Sequence, residues 1–270
     1  MFDTDKVSNG VSKGELAGLL GNTALDPGNP QARSEPLPLS SATSHLFPAG
    51  RLRRGSVLGI SGGSGVTSVA LALLTGPARS GAWTGLLGME HLGWAAAEEM
   101  GFPLERVVSV EPPGTSSVSA ADSPSVLAAM IDAFDVVVVA AGALPPGQAL
   151  RRLRARVRER SSLMVTLGAV LPDADARIEV LGTRWEGLGG GWGRLAGRAI
   201  SVEVGGRGAL GRAQRGEILF DGNGGPEVPS VDTEKAADPR VPAPLMPDPR
   251  MGGPRTGPHE SGPQRQGSVA

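Results

Sequence analysis

Apolar runs and helical stripes alternate along residues 46–220. The run at 56–60 is followed by a Gly/Ser turn and an apolar stretch over 66–75, which predicts a strand and then a helix. The same pattern predicts four further strands, separated by helical segments, at 84–89, 106–110, 134–142 and 162–167. Four consecutive valines at 136–139 are typical of a central parallel strand buried on both faces. The predicted fold class is α/β: a parallel sheet covered by helices on both faces.

The last part of this domain has a different pattern. Short apolar runs follow one another without a helical stripe between them, at 178–181, 199–204 and 217–220. Strands in such an order pair most simply as antiparallel neighbours, so the sequence predicts a small antiparallel extension of the sheet. Trp185 precedes the Gly-rich run EGLGGGWG at 186–193 and Trp192 lies within it; we interpret this run as a mobile loop. The two indoles either pack beneath this loop or stack on nucleic-acid bases.

Both ends of the chain are polar and rich in Pro. The whole chain contains 41 Gly and 23 Pro, and ten of the Pro fall in residues 221–270, where no aromatic residue occurs. Segments of this composition bury too little apolar surface to offset the entropy of ordering. We therefore expect a mostly disordered segment 1–45 with one short helix at 13–20, a folded domain 46–220 and a disordered tail 221–270.

Composition excludes several kinds of site. The chain has no Cys, which removes disulfides, thiolate metal sites and Cys nucleophiles, and its three His lie far apart in the sequence. No apolar run approaches the roughly 20 residues of a membrane helix, and the N-terminus lacks a signal-peptide pattern. These features predict a soluble cytoplasmic protein with no membrane partner and no metal site.

The Gly-rich turn GISGGSGVTS at 59–68 leaves a predicted strand and opens a predicted helix. Phosphate-binding loops have this arrangement, because backbone N–H groups of the turn and of the helix N-terminus face the phosphates. Here Val66 occupies the place of the phosphate-binding Lys, whereas Thr67 keeps the hydroxyl that holds Mg²⁺. The candidate residues of a residual phosphate loop are Gly62, Gly63, Ser64, Gly65 and Thr67. The alternative is a tight strand-to-helix turn that binds no ligand.

The acidic residue that accompanies a phosphate loop is also missing. In P-loop ATPases an apolar strand ends in an Asp that helps to hold Mg²⁺, but the valine strand runs into Ala140 and Ala141. Asp135 lies at the opposite end of that strand. We therefore expect no ATP hydrolysis and no required cofactor, while binding of ATP without turnover stays open. A serine hydrolase built on GISGG is excluded, because Ser61 has no suitably placed His.

Three motifs in order connect this chain with a known family. The segment WTGLLGMEHLGWAAAEEMGFPLERVVSVEPP at 83–113 follows the Gly-rich turn and precedes FDVVVVAA. This order and spacing resemble the core of RecA recombinases over residues 47–170. The resemblance implies that Glu90 matches the water-activating glutamate of that family and that Thr67 matches its Mg²⁺-binding hydroxyl. Glu90 is more simply explained as a strand-end residue that makes local hydrogen bonds, because Val66 and Ala140 depart from the family.

A longer resemblance begins upstream of the Gly-rich turn. The segment SHLFPAGRLRRGSVLGISG at 44–62 resembles the shorter RecA-like accessory proteins of bacterial mutagenesis cassettes, the ImuA type, and the catalytically decayed actinobacterial form ImuA′. This resemblance implies a non-catalytic accessory factor of DNA-damage-induced (SOS) mutagenesis and translesion synthesis. The partners that it implies are an ImuB-type relative of Y-family polymerases and an error-prone C-family DNA polymerase, with RecA and DNA as further candidates.

Two other functions stay open at this point. One is a DNA-dependent ATPase with an atypical phosphate loop, in which an arginine such as Arg53 or Arg54 replaces the missing Lys. The other is a cell-division inhibitor of the SulA kind, a group of proteins that is also related to RecA.

Basic residues are concentrated in one predicted helix. Only three of the 26 basic residues are Lys, and the segment RRLRARVRER at 151–160 contains six Arg and one Glu. Leu150, Leu153 and Val157 form an apolar stripe on this helix. The arginines off the stripe are candidate contacts for DNA phosphates or for an acidic partner: Arg151, Arg152, Arg154, Arg156, Arg158 and Arg160. A purely solvated face is the alternative. We expect that reversing three of these charges leaves folding intact, because the stripe still packs.

Overall fold

The computed structural model describes residues 35–111, 123–189 and 192–227. The strands in these ranges are β1 (Leu37–Pro38), β2 (Arg51–Leu52), β3 (Ser56–Gly62), β4 (Thr84–Leu87), β5 (Val107–Val110), β6 (Val136–Ala140), β7 (Leu163–Leu167), β8 (Ala176–Gly189), β9 (Trp192–Gly206), β10 (Gln214–Asp221) and β11 (Pro226–Glu227). The α-helices are α1 (Val66–Arg79), α2 (Trp94–Glu99), α3 (Ser123–Ala133) and α4 (Gly147–Arg160). None of the helices in these ranges has the length and apolarity that crossing a bilayer requires.

Nine of the strands form one mixed sheet in the order β11-β10-β9-β8-β3-β7-β6-β4-β5. The strands from β8 across to β5 run parallel to one another. Strands β9, β10 and β11 then add to β8 as successive antiparallel neighbours. The α/β class, the parallel sheet and its antiparallel extension are therefore confirmed.

The four valines of β6 show how the sheet is buried. Val136 and Val138 belong to the hydrophobic cluster that includes α1 and α2, whereas Val137 and Val139 belong to the cluster that includes α3 and α4. Each of the four is at most 1% exposed. Burying one such side chain contributes about 1.5–3 kcal/mol relative to leaving it in water. Because successive residues of a strand face opposite sides, the valine run requires helices on both faces, and this prediction is confirmed.

A loop, and no helix, connects β7 to β8 over residues 168–175. This loop crosses the face of β3, and a Cβ atom placed on Gly59 would lie 3.0 Å from Val170 Cα. Val57 and Asp175 fix the crossing: the Asp175 N–H donates to the Val57 carbonyl at 2.9 Å, and the Val57 N–H donates to Asp175 Oδ2 at 2.9 Å. Glycine at 59 is therefore explained by the close approach of this loop.

The described fold extends beyond both predicted limits of the folded domain. Leu37 pairs with Leu52, and the side chain of Leu37 is 2% exposed. At the other end, Pro226 pairs with Phe220. The segments 35–45 and 221–227 thus contribute to the packed structure, whereas the helix predicted at 13–20 and the rest of the tail lie outside the described residues.

The antiparallel extension is larger than the sequence predicts. Strands β8 and β9 form a hairpin of 14 and 15 residues, and β8 continues well past Val180, its last residue paired with β3. Trp185 lies within β8 opposite Arg198, and residues 186–189 and 192–193 belong to β8 and β9, so the interpretation of this run as a mobile loop is wrong for these residues. Glycine is unfavourable in strands, and the Gly-rich sequence therefore gave no strand pattern; the cross-strand pairing overrides that preference.

Candidate functional site

The Gly-rich turn lies at the carboxyl edge of the sheet, between the end of β3 and the start of α1. Gly65 caps α1 with a left-handed φ of 110°, and the first helical hydrogen bond runs from the Val69 N–H to the Gly65 carbonyl at 2.9 Å. The preceding N–H groups of the first turn have no partner within the helix. Ser64 and Thr67 are exposed beside them. The predicted strand–turn–helix arrangement is confirmed.

The β8–β9 hairpin holds this turn in place. Gly62 pairs with Val180, the Gly63 N–H donates to the Val180 carbonyl at 3.4 Å, and Thr183 Oγ1 donates to the Ser64 carbonyl at 3.1 Å. A Cβ atom on Gly62 would collide with the Val180 backbone. Contact with the hairpin therefore explains this glycine without any phosphate.

Gly65 is required by its own backbone conformation, because its φ of 110° lies in the left-handed region. A Cβ atom there would also lie 2.9 Å from Ile200 Cδ1 of β9, the end of a flexible side chain. Gly63 differs, because nothing lies within 4 Å of a Cβ atom placed there. Two of the three glycines are thus needed by the fold itself.

The residues around the turn do not fit a magnesium nucleotide. Val66, at the position of the phosphate-binding Lys, packs against the apolar cluster of α1. The carboxyl end of β6 leads into an Ala-Gly-Ala turn at 141–143 and offers no carboxylate. Across the described ranges, no group of three or more His, Cys, Asp or Glu side chains could hold a metal ion. The charges that hold a triphosphate and its Mg²⁺ are missing here.

Arg54 and Asp135 form a largely buried ion pair at the amino edge of the sheet. Arg54 Nη1 lies 2.8 Å from Asp135 Oδ1, and the two side chains are 11% and 12% exposed. Asp135 Oδ2 also accepts a hydrogen bond from the Trp83 N–H at 3.1 Å. The phosphate loop lies at the opposite, carboxyl edge of the sheet, so Arg54 cannot replace its Lys. The neighbouring Arg53 belongs to the same turn at the amino edge and is likewise at the opposite edge from the loop.

Glu90 follows β4 at the same carboxyl edge as the Gly-rich turn, with β7 and β6 between the two strands. Neighbouring strands lie about 4.8 Å apart, so β4 is roughly 14 Å from β3. Glu90 Oε1 is buried and has no hydrogen-bond partner among the described residues. The expectation that local hydrogen bonds satisfy this carboxylate is therefore wrong for Oε1. His91, the next residue, is exposed.

The arginines of α4 divide into two sets. The apolar stripe is confirmed, since Leu153 and Val157 are 4% and 0% exposed. One set of three is bound to acidic side chains of this domain: Arg154, Arg156 and Arg160. The other set is exposed and has no acidic partner among the described residues: Arg151, Arg152 and Arg158.

Asp132 of α3 anchors two arginines of the bound set. Arg156 Nε donates to Asp132 Oδ1 at 2.7 Å, and a second bond joins Arg156 Nη2 to Asp132 Oδ2. Arg160 Nε donates to Asp132 Oδ1 at 2.9 Å. The hydrogen bond from Arg156 is the main reason that the pKa of Asp132 lies below its ordinary value, although partial burial opposes it.

Asp173, in the loop that crosses β3, anchors the third arginine. Arg154 Nη1 lies 3.1 Å from Asp173 Oδ2, and the Arg154 side chain is 11% exposed. These pairs fasten α4 to α3 and to the loop, so the expectation that charge reversal leaves folding intact now applies to Arg151, Arg152 and Arg158.

The antiparallel extension contains charged residues that the sequence did not single out. Arg198 lies between two aromatic rings, 5.2 Å from the Trp185 ring centre and 4.6 Å from that of Phe220. Burial lowers the pKa of Arg198. Arg207, just after β9, binds Asp173 at 3.4 Å. These contacts join positions far apart in the chain, and only knowledge of the strand register could have found them.

Two similarities to other proteins cover part of the chain. Residues 45–172 match the sequence model of a family described as the MT3502 N-terminal domain; this segment contains β3–β7 and the four α-helices, and it ends before β8. The chain is also similar to the uncharacterized protein Rv3395c of Mycobacterium tuberculosis (strain ATCC 25618 / H37Rv), with 29% identity over 141 residues. That alignment covers 52% of this chain and 58% of the relative, less than two thirds of its length. Neither description states an activity.

Proposed function

We propose that this protein is a non-catalytic, RecA-like accessory factor of DNA-damage-induced (SOS) mutagenesis and translesion synthesis. It acts through protein contacts, and contact with DNA is a further part of the proposal. The observation that carries it is the Gly-rich turn: it occupies the place of a RecA-like phosphate loop, yet it lacks the charges for a nucleotide and is held by the β8–β9 hairpin.

A domain without nucleotide chemistry acts through its surfaces. The exposed face of α4 presents Arg151, Arg152 and Arg158, which no described acidic residue neutralises. The helix is fixed to its neighbours by the bound arginines, so the exposed arginines are preorganised for a partner and lose little freedom on binding. The partners that we propose, from the resemblance to the ImuA type, are an ImuB-type polymerase relative and a C-family polymerase, with RecA and DNA as further candidates.

Hydrolysis of ATP by the purified protein tests the non-catalytic part of this proposal. We expect no turnover above background, with or without single-stranded DNA, because Val66 and Ala140 stand where the Lys and Asp would be. A matched comparison is Thr67→Ala, which removes the remaining hydroxyl. DNA-stimulated turnover that Thr67→Ala abolishes would contradict the proposal and favour the ATPase alternative.

A deletion strain tests the cellular part. Mutagenesis induced by DNA damage should fall in the deletion strain and recover when the gene is restored. Overexpression should not cause filamentation in undamaged cells. Normal mutagenesis in the deletion strain, together with filamentation on overexpression, would instead favour a division inhibitor of the SulA kind.

A further inference from the structure

Arginines from three separate segments lie on the side of the sheet that α4 covers. They are Arg151, Arg154 and Arg158 of α4, Arg177 of β8 and Arg207 after β9, and together we call them the arginine surface. Asp173 joins the segments, since Arg154 Nη1 lies 3.1 Å from Asp173 Oδ2 and Arg207 Nη2 lies 3.4 Å from Asp173 Oδ1. Arg151 and Arg158 lie one turn to either side of Arg154 on the helix. The basic face of α4 therefore continues onto the antiparallel extension.

A recess of about 300 Å³ opens in this surface. Its apolar lining comes from Val170, Leu171, Pro172 and Ala174 of the loop that crosses β3, and its polar lining from Arg177 and Arg207. This volume is at the lower end of the range of about 300–1,000 Å³ that small-molecule pockets occupy. The recess therefore has room for one side chain of a longer segment, and its apolar lining residues offer that side chain an apolar contact.

Charge on this surface is strongly unbalanced. Arg151, Arg158 and Arg177 have no acidic partner among the described residues, and Asp173 is the acid that Arg154 and Arg207 share. Exposed Glu159 follows Arg158 on α4; on the open face of β8 and β9, Glu179 and Glu203 face each other across the strands, and Glu203 binds Arg215 at 3.1 Å. Arginines still outnumber the acids, so this surface favours a partner that carries negative charge.

The chemistry of the surface favours carboxylates over bases. Asp173, which is 65% exposed, already shows how a carboxylate is held between two guanidinium groups. Arginine suits this role, because its planar group matches a carboxylate with two parallel hydrogen bonds. Single-stranded nucleic acid binding relies on aromatic side chains on which bases stack, and no aromatic residue lines the recess.

We propose that the arginine surface binds an acidic, extended segment of a partner protein, with one apolar side chain of that segment in the recess. This inference rests on the proposed function, because it gives the chemical class of the partner that the accessory factor recognises. It also extends the contact site beyond α4, onto Arg177 and Arg207.

Binding of defined probes to the full chain tests this inference. The peptide probe is a fluorescein-labelled segment of Glu and Asp around one central Leu, and the rival probe is a labelled oligothymidylate of equal net charge. We expect the peptide to bind more tightly than the oligothymidylate. Replacing its central Leu with Ser should weaken binding, because the recess then loses its apolar occupant.

Charge reversal locates the site. Arg177→Glu should weaken peptide binding at least about tenfold, which corresponds to roughly 1.4 kcal/mol, and the double variant with Arg207→Glu should weaken it further. Arg177 makes no ion pair among the described residues, so its reversal should leave the thermal unfolding transition unchanged. The matched control is Arg184→Glu: Arg184 is 55% exposed on the same strand, and its ion pairs are exposed and weak.

Three results would overturn the inference. They are failure of the peptide to bind, tighter binding of the oligothymidylate, and an equal loss of peptide binding in Arg177→Glu and Arg184→Glu. These results are independent of the proposed function. If the deletion strain showed normal mutagenesis while the peptide still bound at Arg177 and Arg207, the surface would stand and the proposed pathway would fail.

Discussion

The parallel part of the sheet and its antiparallel extension differ in what covers them. Strands such as β6 are buried on both faces by helices. In the extension, one face is apolar and packed, with Val202 and Ile218 fully buried, whereas the other carries Glu203, Arg215 and Glu217 into solvent. An antiparallel sheet with one solvated face shows this alternation. The parallel part is thus a scaffold, and the extension adds exposed chemistry to it.

The extension also changes the part of the parallel sheet that could have bound a nucleotide. Its hairpin occupies the side of the Gly-rich turn next to β3, through Val180, Thr183 and Ile200. The family match at 45–172 includes the turn and excludes the hairpin that holds it. The role of the turn is therefore explained only when both parts of the sheet are considered together.

Removing the Arg54–Asp135 pair should have the largest effect on stability. Asp135→Ala leaves Arg54 poorly solvated and takes the acceptor from the Trp83 N–H, so the free energy of unfolding should fall by about 3–5 kcal/mol. The comparison in the extension is Arg215→Ala, where the Arg side chain is 77% exposed. Here the loss should be below about 1 kcal/mol. Urea unfolding of both variants measures the difference, and equal losses would show that the two regions are not held as described.

Substitution in the Gly-rich turn should show that the hairpin, and not a ligand, requires the glycine. Gly62→Ala should lower the free energy of unfolding by about 1–3 kcal/mol, because φ is positive and the Val180 backbone lies too close. Gly63→Ala, with open space around the new Cβ atom, should change it by less than about 0.5 kcal/mol. Thermal or urea unfolding without nucleotide is the measurement. A tolerated Gly62→Ala would contradict the packing of the hairpin on the turn.

The link between α3 and α4 should depend on pH. The pKa of Asp132 in the folded protein is below its ordinary value of 3.8. The ionised Asp132 carboxylate therefore stabilises the fold fully above that pH, and this stabilisation is lost as pH falls through the folded pKa. Asp132→Asn should therefore lower the free energy of unfolding at neutral pH by about 1 kcal/mol. The difference from wild type should shrink below pH 3.8. A difference that stays constant over this range, measured by urea unfolding, would show that the carboxylate charge does not act here.

The exposed arginines of α4 should matter least for stability. Reversing Arg151, Arg152 and Arg158 to Glu should change the free energy of unfolding by less than about 0.5 kcal/mol per site. The same reversal at Arg154, Arg156 and Arg160 should cause a clearly larger loss, because each of these residues has an acidic partner. Similar losses in the two triple variants would remove the distinction between a bound and an exposed set.

Local patterns in the sequence predicted the parallel part of the fold. The valine run of β6, the stripe of Leu153 and Val157 and the Gly-rich turn each fall within a few residues of where they were expected. Periodicity and turn chemistry are properties of short segments, so a single sequence reveals them. The same reasoning placed six arginines on one helix, but it could not separate them into two sets.

Long-range contacts determined what the sequence could not predict. Asp132 is 24 residues from Arg156, and Asp173 is 34 residues from Arg207. The β8–β9 hairpin also depends on long-range contacts, because its Gly-rich strands have weak strand preference and are stabilised by pairing with β10. The recess near Arg177 depends on both the loop crossing and the strand register, neither of which leaves a local signal.

Damage-induced mutagenesis in a deletion strain, complemented with two variants at normal protein abundance, tests the central claim most directly. The claim is that the domain acts through the exposed arginines of α4 and not through its Gly-rich turn. Complementation with Thr67→Ala should restore the mutant frequency, whereas the variant with Arg151, Arg152 and Arg158 reversed to Glu should leave it at the level of the deletion strain. Full recovery with the reversed variant, and none with Thr67→Ala, would contradict the account.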